Sequence, residues 1–226
     1  MNIAILLPYK ENFTKRNAGA VSIFVNATNK LSKYKKNIKV FGYTSYDESF
    51  KNYTNLYIEK KILFSTTNKY LNKFLTSVKN IKIDILEIHN RPNYINFLDK
   101  NIKCKKILYF HNDPQEMLGS RTIDDRINLL SKTEKIIFNS NWSRSRFLEN
   151  LPINTNHEKL VIIPQSTSKT KISFEKKKKI ISFIGKLNTS KGYDVFGKSI
   201  LKILDKYPDW KSIVIGDEPR EKLFFN

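Results

Sequence analysis

A chain of 226 residues has room for one full α/β domain and part of a second, since domains commonly run to about 100–150 residues. A hydrophobic fraction of 40% and 12% aromatic residues exclude a disordered chain, and no apolar run nears the roughly 18 residues of a membrane-spanning helix. The formal net charge is +20, carried by lysines spread through every segment, and the simplest reading is a solvated lysine surface. Among anionic partners, a membrane surface suits dispersed lysines better than nucleic acid does, because no nucleic-acid-binding module accompanies the charge. The single cysteine, Cys104, excludes an internal disulfide and a cysteine metal cluster, in keeping with a reducing cytoplasmic setting.

The first apolar run, Ile3 to Leu7, is closed by Pro8 and reads as a buried strand rather than a signal peptide. The loop "RNAGAVSIFV", Arg16 to Val25, then leads into a helical period through Val21, Phe24, Val25, Thr28 and Leu31. Gly19 at that helix start permits either close approach of a substrate or tight packing of helix on strand; the G-x-G-x-x-G fingerprint of nicotinamide enzymes is absent. Ile38 to Phe41 is the next strand. Residues Tyr43 to Lys61 break the alternation and are expected to form an edge hairpin or loop.

A second helical period runs through Tyr70, Leu71, Phe74, Leu75 and Val78. Two histidines follow the next strands at the same relative place: His89 in "LEIHNRP" after Ile83 to Ile88, and His111 in "LYFHNDP" after Ile107 to Phe110. Ligands bind beyond the carboxyl ends of parallel strands, so both are expected at the cleft, with a structural role as the alternative for either. Arg91 would meet an anion or pair with an acidic neighbour. Ile123, Ile127 and Leu130 predict a third helix, and Ser140 caps a fourth over Trp142 to Leu148 after the strand Ile136 to Phe138. Strands alternating with helices imply right-handed βαβ units and a parallel sheet covered on both faces. With Leu160 to Ile163 as its last strand, the first domain spans residues 1–164.

Residues 165–179, "QSTSKTKISFEKKKK", lack periodicity and read as a linker. A second unit over 180–226 begins with the strand Ile180 to Ile184, the loop in "FIGKLNTSKGYDVF", a helix from Val195 to Leu204 and a strand from Trp210 to Ile215. Gly185 would turn the chain off the strand and Gly192 would let backbone approach a ligand at the helix start, with Lys186 and Lys191 as two cations spanning a diphosphate. Solvent-facing lysines on an ordinary loop are the alternative. One βαβ unit does not cover its own faces, so this domain is expected to be cut short or to need a partner. Spaced Asp-x-Asp, H-E-x-x-H, G-x-S-x-G and Walker lysine patterns are absent, which speaks against metal-dependent and acyl-enzyme chemistry.

"GKLNTSKGYDVF" and the later "IVIGDEP" together resemble the nucleotide-sugar half of retaining glycosyltransferases of the group-1 (family 4) class, which have the GT-B fold. "NAGAVSIFV", "YFHNDP" and "FNSNWSRSRF" resemble that class's first-domain glycine loop, strand-end histidine and closing serine segment. The resemblance implies a complete Rossmann-like first domain plus the first βαβ unit of a second, without a metal or other cofactor. It implies a hexose moved from a nucleoside-diphosphate sugar to a glycan or lipid-linked acceptor in cell-surface polysaccharide synthesis. Lys186 and Lys191, with Gly185 and Gly192, would hold the donor diphosphate; Gly19 and Asn17 would line the donor or acceptor loop; His111 would face the transferred sugar as the catalytic residue. His89, Arg91, Ser140 and Gly216 would border the cleft. The family's glutamate pair, seven residues apart, is expected further along the second domain than this chain reaches, so a non-catalytic binding fragment is the alternative, with a basic nucleic-acid-binding protein a distant third.

Overall fold

The computed structural model describes residues 1–58, 65–152, 154–155, 157–166, 169 and 177–217. Contacts divide the chain into two units, Met1–Ser168 and Lys169–Asn226. The first holds strands β1 (Ile3–Leu6), β2 (Ile38–Gly42), β3 (Tyr53–Asn55), β4 (Ile85–His89), β5 (Lys105–Phe110), β6 (Lys135–Phe138) and β7 (Leu160–Ile162). Its helices are α1 (Ala20–Leu31), α2 (Thr66–Val78), α3 (Asn93–Asn101), α4 (Ile123–Lys132) and α5 (Asn141–Leu148). The second unit holds β8 (Ile180–Ile184), α6 (Tyr193–Lys206) and β9 (Lys211–Ile215).

All seven strands of the first unit pair in parallel, in the order β3-β2-β1-β4-β5-β6-β7. This is the doubly wound order of Rossmann-like domains, and its direction reverses between β1 and β4, where such sheets open a crevice at their carboxyl ends. Side chains alternate across the sheet. Ala4 and Leu6 of β1, Leu86 and Ile88 of β4, and Leu108 and Phe110 of β5 enter one large core with Tyr70, Phe74, Tyr94, Leu98 and Phe147 from α2, α3 and α5. Ile5 and Leu7 point the other way, into a smaller core with Val21 and Val25 of α1. The larger face is therefore a continuous aliphatic and aromatic layer, while β4 and β5 turn Glu87, His89 and Tyr109 toward α1.

Two expectations need correction, and one helix went unforeseen. The segment after Tyr43 makes no hairpin: β3 runs parallel to β2 at the sheet edge, because the intervening loop folds back through Phe50, whose N–H bonds the Phe13 carbonyl and whose ring packs edge-on against Phe13. Helix α3, which follows Pro92, lacks a signal strong enough to read from sequence. In α4 the buried face is Arg126 and Leu129, at 2% and 1% exposure, and Ile123 and Ile127 are 41% and 42% exposed.

In the second unit β8 and β9 pair in parallel, and Ile184, Ile213, Val214 and Ile215 remain exposed. The linker expected over 165–179 lies largely outside the described residues, and Phe224 and Phe225 lie wholly outside them.

Candidate functional site

The strand alternation that puts Leu86 and Ile88 into the large core puts Glu87 and His89 together on the opposite face. His89 is fully buried, its Nε2 2.5 Å from Glu87 Oε1 and its Nδ1 2.8 Å from His111 Nε2. The outer nitrogen of His111, Nδ1, meets the side-chain amide nitrogen of Gln165. The partners at the two ends set the proton positions. An ionised carboxylate only accepts, so His89 donates from Nε2 and accepts at Nδ1; His111 then donates from Nε2, and its Nδ1 lone pair takes the amide proton of Gln165. Each ring carries one proton and every bond in the chain of four residues is satisfied.

Aromatic packing holds this row flat. Tyr109 stacks on His111 at 4.6 Å and on His89 at 5.3 Å, and Phe24 of α1 sets its edge against His111 at 5.5 Å. The Tyr109 hydroxyl donates to the Ile163 carbonyl at 2.7 Å, and burial pushes its pKa up to about 12. Burial, reinforced by repulsion from His89, lowers the His111 pKa from 6.5 to about 3. Backbone ties complete the frame: His111 N–H donates to Asn90 Oδ1 at 3.2 Å, and the Asn139 amide donates to the His111 carbonyl at 2.9 Å. The chain ends of β4, β5 and β6 are thus stitched together around His111.

A neutral His111 makes the first unit sensitive to acid. The unfolded chain takes up this proton below about pH 6.5, whereas the folded chain resists it down to about pH 3, so the stabilisation is complete above pH 6.5 and is lost as pH falls toward 3. Between pH 7 and 5 the wild type is expected to lose about 2 kcal/mol more unfolding free energy than a His111→Asn variant. Equal losses in urea titrations would remove the neutral imidazole from this account.

Other residues expected at the site lie as follows. His89 is itself fully buried and meets partly exposed groups on both sides, Glu87 at Nε2 and His111 at Nδ1. Arg91 donates to the Asn90 carbonyl at 2.7 Å and, with Lys10 and Tyr94, lines a separate cavity of about 470 Å³ beside β1 and β4. Ser140 caps α5, its hydroxyl accepting from Ser143 N–H at 3.2 Å. Gly19 opens α1, where Glu11 takes the anion's place: its carboxylate accepts from Ser22 N–H at 3.0 Å, and a Cβ on Gly19 would come within 2.6 Å of the Glu11 carboxyl carbon. Asn17 N–H bonds the Thr14 hydroxyl at 3.2 Å in the same loop. Sequence reasoning missed Glu87, Glu11, Tyr109 and Gln165; the one signal for Glu87 was a carboxylate inside an otherwise apolar strand, two residues from His89.

In the second unit Lys186 and Lys191 are both exposed and have no ion-pair partner among the described residues. Between them Asn188 is buried, and its carbonyl accepts from Lys191 and Tyr193 N–H at 3.2 Å each, folding the loop into a short 3-10 turn. Gly192 then enters α6 with φ 73° and ψ 23°, a left-handed conformation that suits glycine, and space around it is open. Gly216 ends β9 against Gly185, and a Cβ there would collide with the Gly185 carbonyl.

No family model and no curated protein matches the sequence. Solved structures do. Sucrose-phosphate synthase from Thermosynechococcus elongatus aligns over 98% of this chain and 64% of its own, at TM-score 0.70 and 12% identity. HepE of Anabaena, solved with UDP and glucose, aligns over 95% and 60% at TM-score 0.62 and 11% identity. The chain has the GT-B glycosyltransferase fold. At such identities the likeness is one of fold, and the GT-B chain here spans less than two thirds of the length of either structure. The same architecture is found in UDP-N-acetylglucosamine 2-epimerase from Rickettsia bellii, at TM-score 0.51 and 12% identity. No helix among the described residues of the GT-B chain is long and apolar enough to cross a membrane.

Proposed function

We propose that this chain serves a retaining, metal-independent glycosyltransferase of the group-1 class. It would move a hexose from a nucleoside-diphosphate sugar to a glycan or lipid-linked acceptor for cell-surface polysaccharide, at the cytoplasmic side and in peripheral contact with the membrane. The observation that carries this reading is the chain of Glu87, His89 and His111 at the carboxyl end of β4 and β5 in a GT-B fold. It leaves one imidazole nitrogen, His111 Nδ1, as an acceptor whose present partner is an exposed glutamine side chain. A sugar hydroxyl that displaces Gln165 would donate to that nitrogen. In the second unit, Lys186 and Lys191 would take the diphosphate and stabilise the negative charge that develops on the leaving nucleotide. HepE, with its bound UDP and glucose, supports a nucleotide-sugar donor.

Calorimetric titration with UDP-glucose and related donors tests the assignment. Each charge-assisted bond to phosphate contributes about 1.5–3 kcal/mol, so Lys186→Ala with Lys191→Ala should weaken donor binding by about a hundredfold or more. Because both side chains are exposed, the circular dichroism spectrum should not change. Unchanged affinity would remove the lysines from the site, and no donor binding by the wild type would favour a binding role without catalysis. A product altered in its sugar but still joined to the nucleotide would favour epimerase chemistry, the activity named for the Rickettsia bellii structure.

A further inference from the structure

Away from the histidine row, a groove of about 870 Å³ opens between the loop after β1, the last turns of α1 and the approach to β3. Five lysines rim it: Lys15, Lys30, Lys35, Lys36 and Lys51. All five are exposed, and none has an ion-pair partner among the described residues. Its floor is apolar, formed by the Phe13 and Phe50 rings 5.0 Å apart. We propose that this groove docks the anionic headgroups of a phospholipid bilayer, with the end of α1 dipping its apolar tip into the interface.

The sequence around the groove carries charge of one sign only. From residue 12 to residue 46 it contains seven basic side chains and no acidic one, with Asp47 and Glu48 the first to interrupt. Sustained one-sign charge of this kind attracts anionic lipid within a Debye length of the surface. Apolar groups project from the same segment: Leu31, the last residue of α1, is 88% exposed, and Tyr34 follows it among Lys33, Lys35 and Lys36. Lysine stems lie along apolar surface while their ammonium heads stay wet, so lysine and leucine together suit a headgroup layer. A nucleic acid would draw on the charge but has no use for an exposed leucine; Phe13, at 1% exposure, offers no open ring for a base to stack on, and no arginine lines the groove to grip phosphate in two-pronged fashion.

The proposal gives a location to the peripheral membrane contact included in the functional reading above. Vesicle binding is measured without donor or acceptor, so it can fail while sugar transfer stands, and the reverse. The experiment is cosedimentation of the whole chain with vesicles of phosphatidylcholine and phosphatidylglycerol in equal parts, against vesicles of phosphatidylcholine alone. The wild type should bind the anionic vesicles and hardly bind the neutral ones. At roughly fivefold in affinity for each lysine near the surface, Lys30→Gln, Lys35→Gln and Lys36→Gln combined should weaken binding by about a hundredfold. Leu31→Ser, which leaves the charge intact, should weaken it about tenfold. Lys79→Gln, Lys82→Gln and Lys103→Gln, an equal loss of exposed charge elsewhere in the first unit, should change it less than threefold. An equal loss in that control set would mean that dispersed charge alone is at work and would overturn the proposal. So would an unaffected Leu31→Ser variant combined with equally tight binding of duplex DNA, which would make the groove a polyanion site.

Discussion

Replacing His89 with phenylalanine is expected to lower the unfolding free energy of the first unit by about 2–3 kcal/mol and, in the proposed transfer reaction, to lower the rate of sugar transfer while leaving donor affinity little changed. Phenylalanine keeps a ring against Tyr109, which stacks on His89 at an interplanar angle of 11°, but it removes both ring nitrogens. Glu87 then loses the donor 2.5 Å away, and the N–H of His111 loses its acceptor. A buried polar group left without its partner costs about 1–3 kcal/mol. The proton on His111 becomes free to sit on either nitrogen. With the repulsion from His89 gone, its pKa should rise above about 3, although burial, the larger cause, keeps it below 6.5. The amide of Glu87→Gln can still accept from His89 through its oxygen, so that variant should hold the wild-type proton arrangement and lose only about 1 kcal/mol. Nitrogen-15 chemical shifts of the His111 ring separate the cases directly: an unchanged shift pattern in His89→Phe would show that the buried histidine does not position the outer one.

The second large effect is expected away from the site. Arg126→Ala should lower the stability of the first unit by about 3–5 kcal/mol, while Ile127→Ala, one residue on, should cost less than about 1 kcal/mol. Helix α4 starts with a reciprocal cap between Thr122 and Asp125, which orients its first turn so that Arg126 faces inward. The guanidinium donates to the carbonyls of Ser120, Arg121 and Glu149 at 3.4, 3.0 and 2.7 Å, joining the turn before α4 to the end of α5. Truncation leaves these carbonyls without their donor and opens a void the length of the side chain, whereas Ile127 is 42% exposed and has little burial to lose. Urea denaturation of both variants is the measurement, and an Arg126→Ala variant within 0.5 kcal/mol of the wild type, about the spread of ordinary surface substitutions, would dismiss the clip.

These two residues show where reading the sequence stops. Period and turn chemistry are local, so the order of strands and helices apart from β3 and α3, the cap at Ser140, the glycine loops before α1 and α6, and both histidines at the carboxyl ends of their strands were legible along the chain. So was the parallel character of the sheet, because long apolar runs alternating with helical periods have few other ways to be buried. The α4 periodicity pointed to Ile123, Ile127 and Leu130 as the buried face. The cap, two carbonyls of the preceding turn and the distant Glu149 carbonyl chose Arg126 instead. Partners brought together from 22 and 54 residues away, as His89 and Gln165 are to His111, leave no mark in local spacing.

The sequence by itself determined a parallel α/β unit followed by a βαβ unit, with histidines at strand ends and lysines beside glycines, because each of these is settled by neighbours a few positions apart. Only the tertiary structure decided the strand order with its reversal between β1 and β4, the parallel edge strand β3, the pairing of Glu87 with a buried imidazole, and the gathering of five lysines around two phenylalanines. Periodicity states which residues share a face; which other face they meet is settled by chain crossovers and by the requirement that buried polar groups find partners.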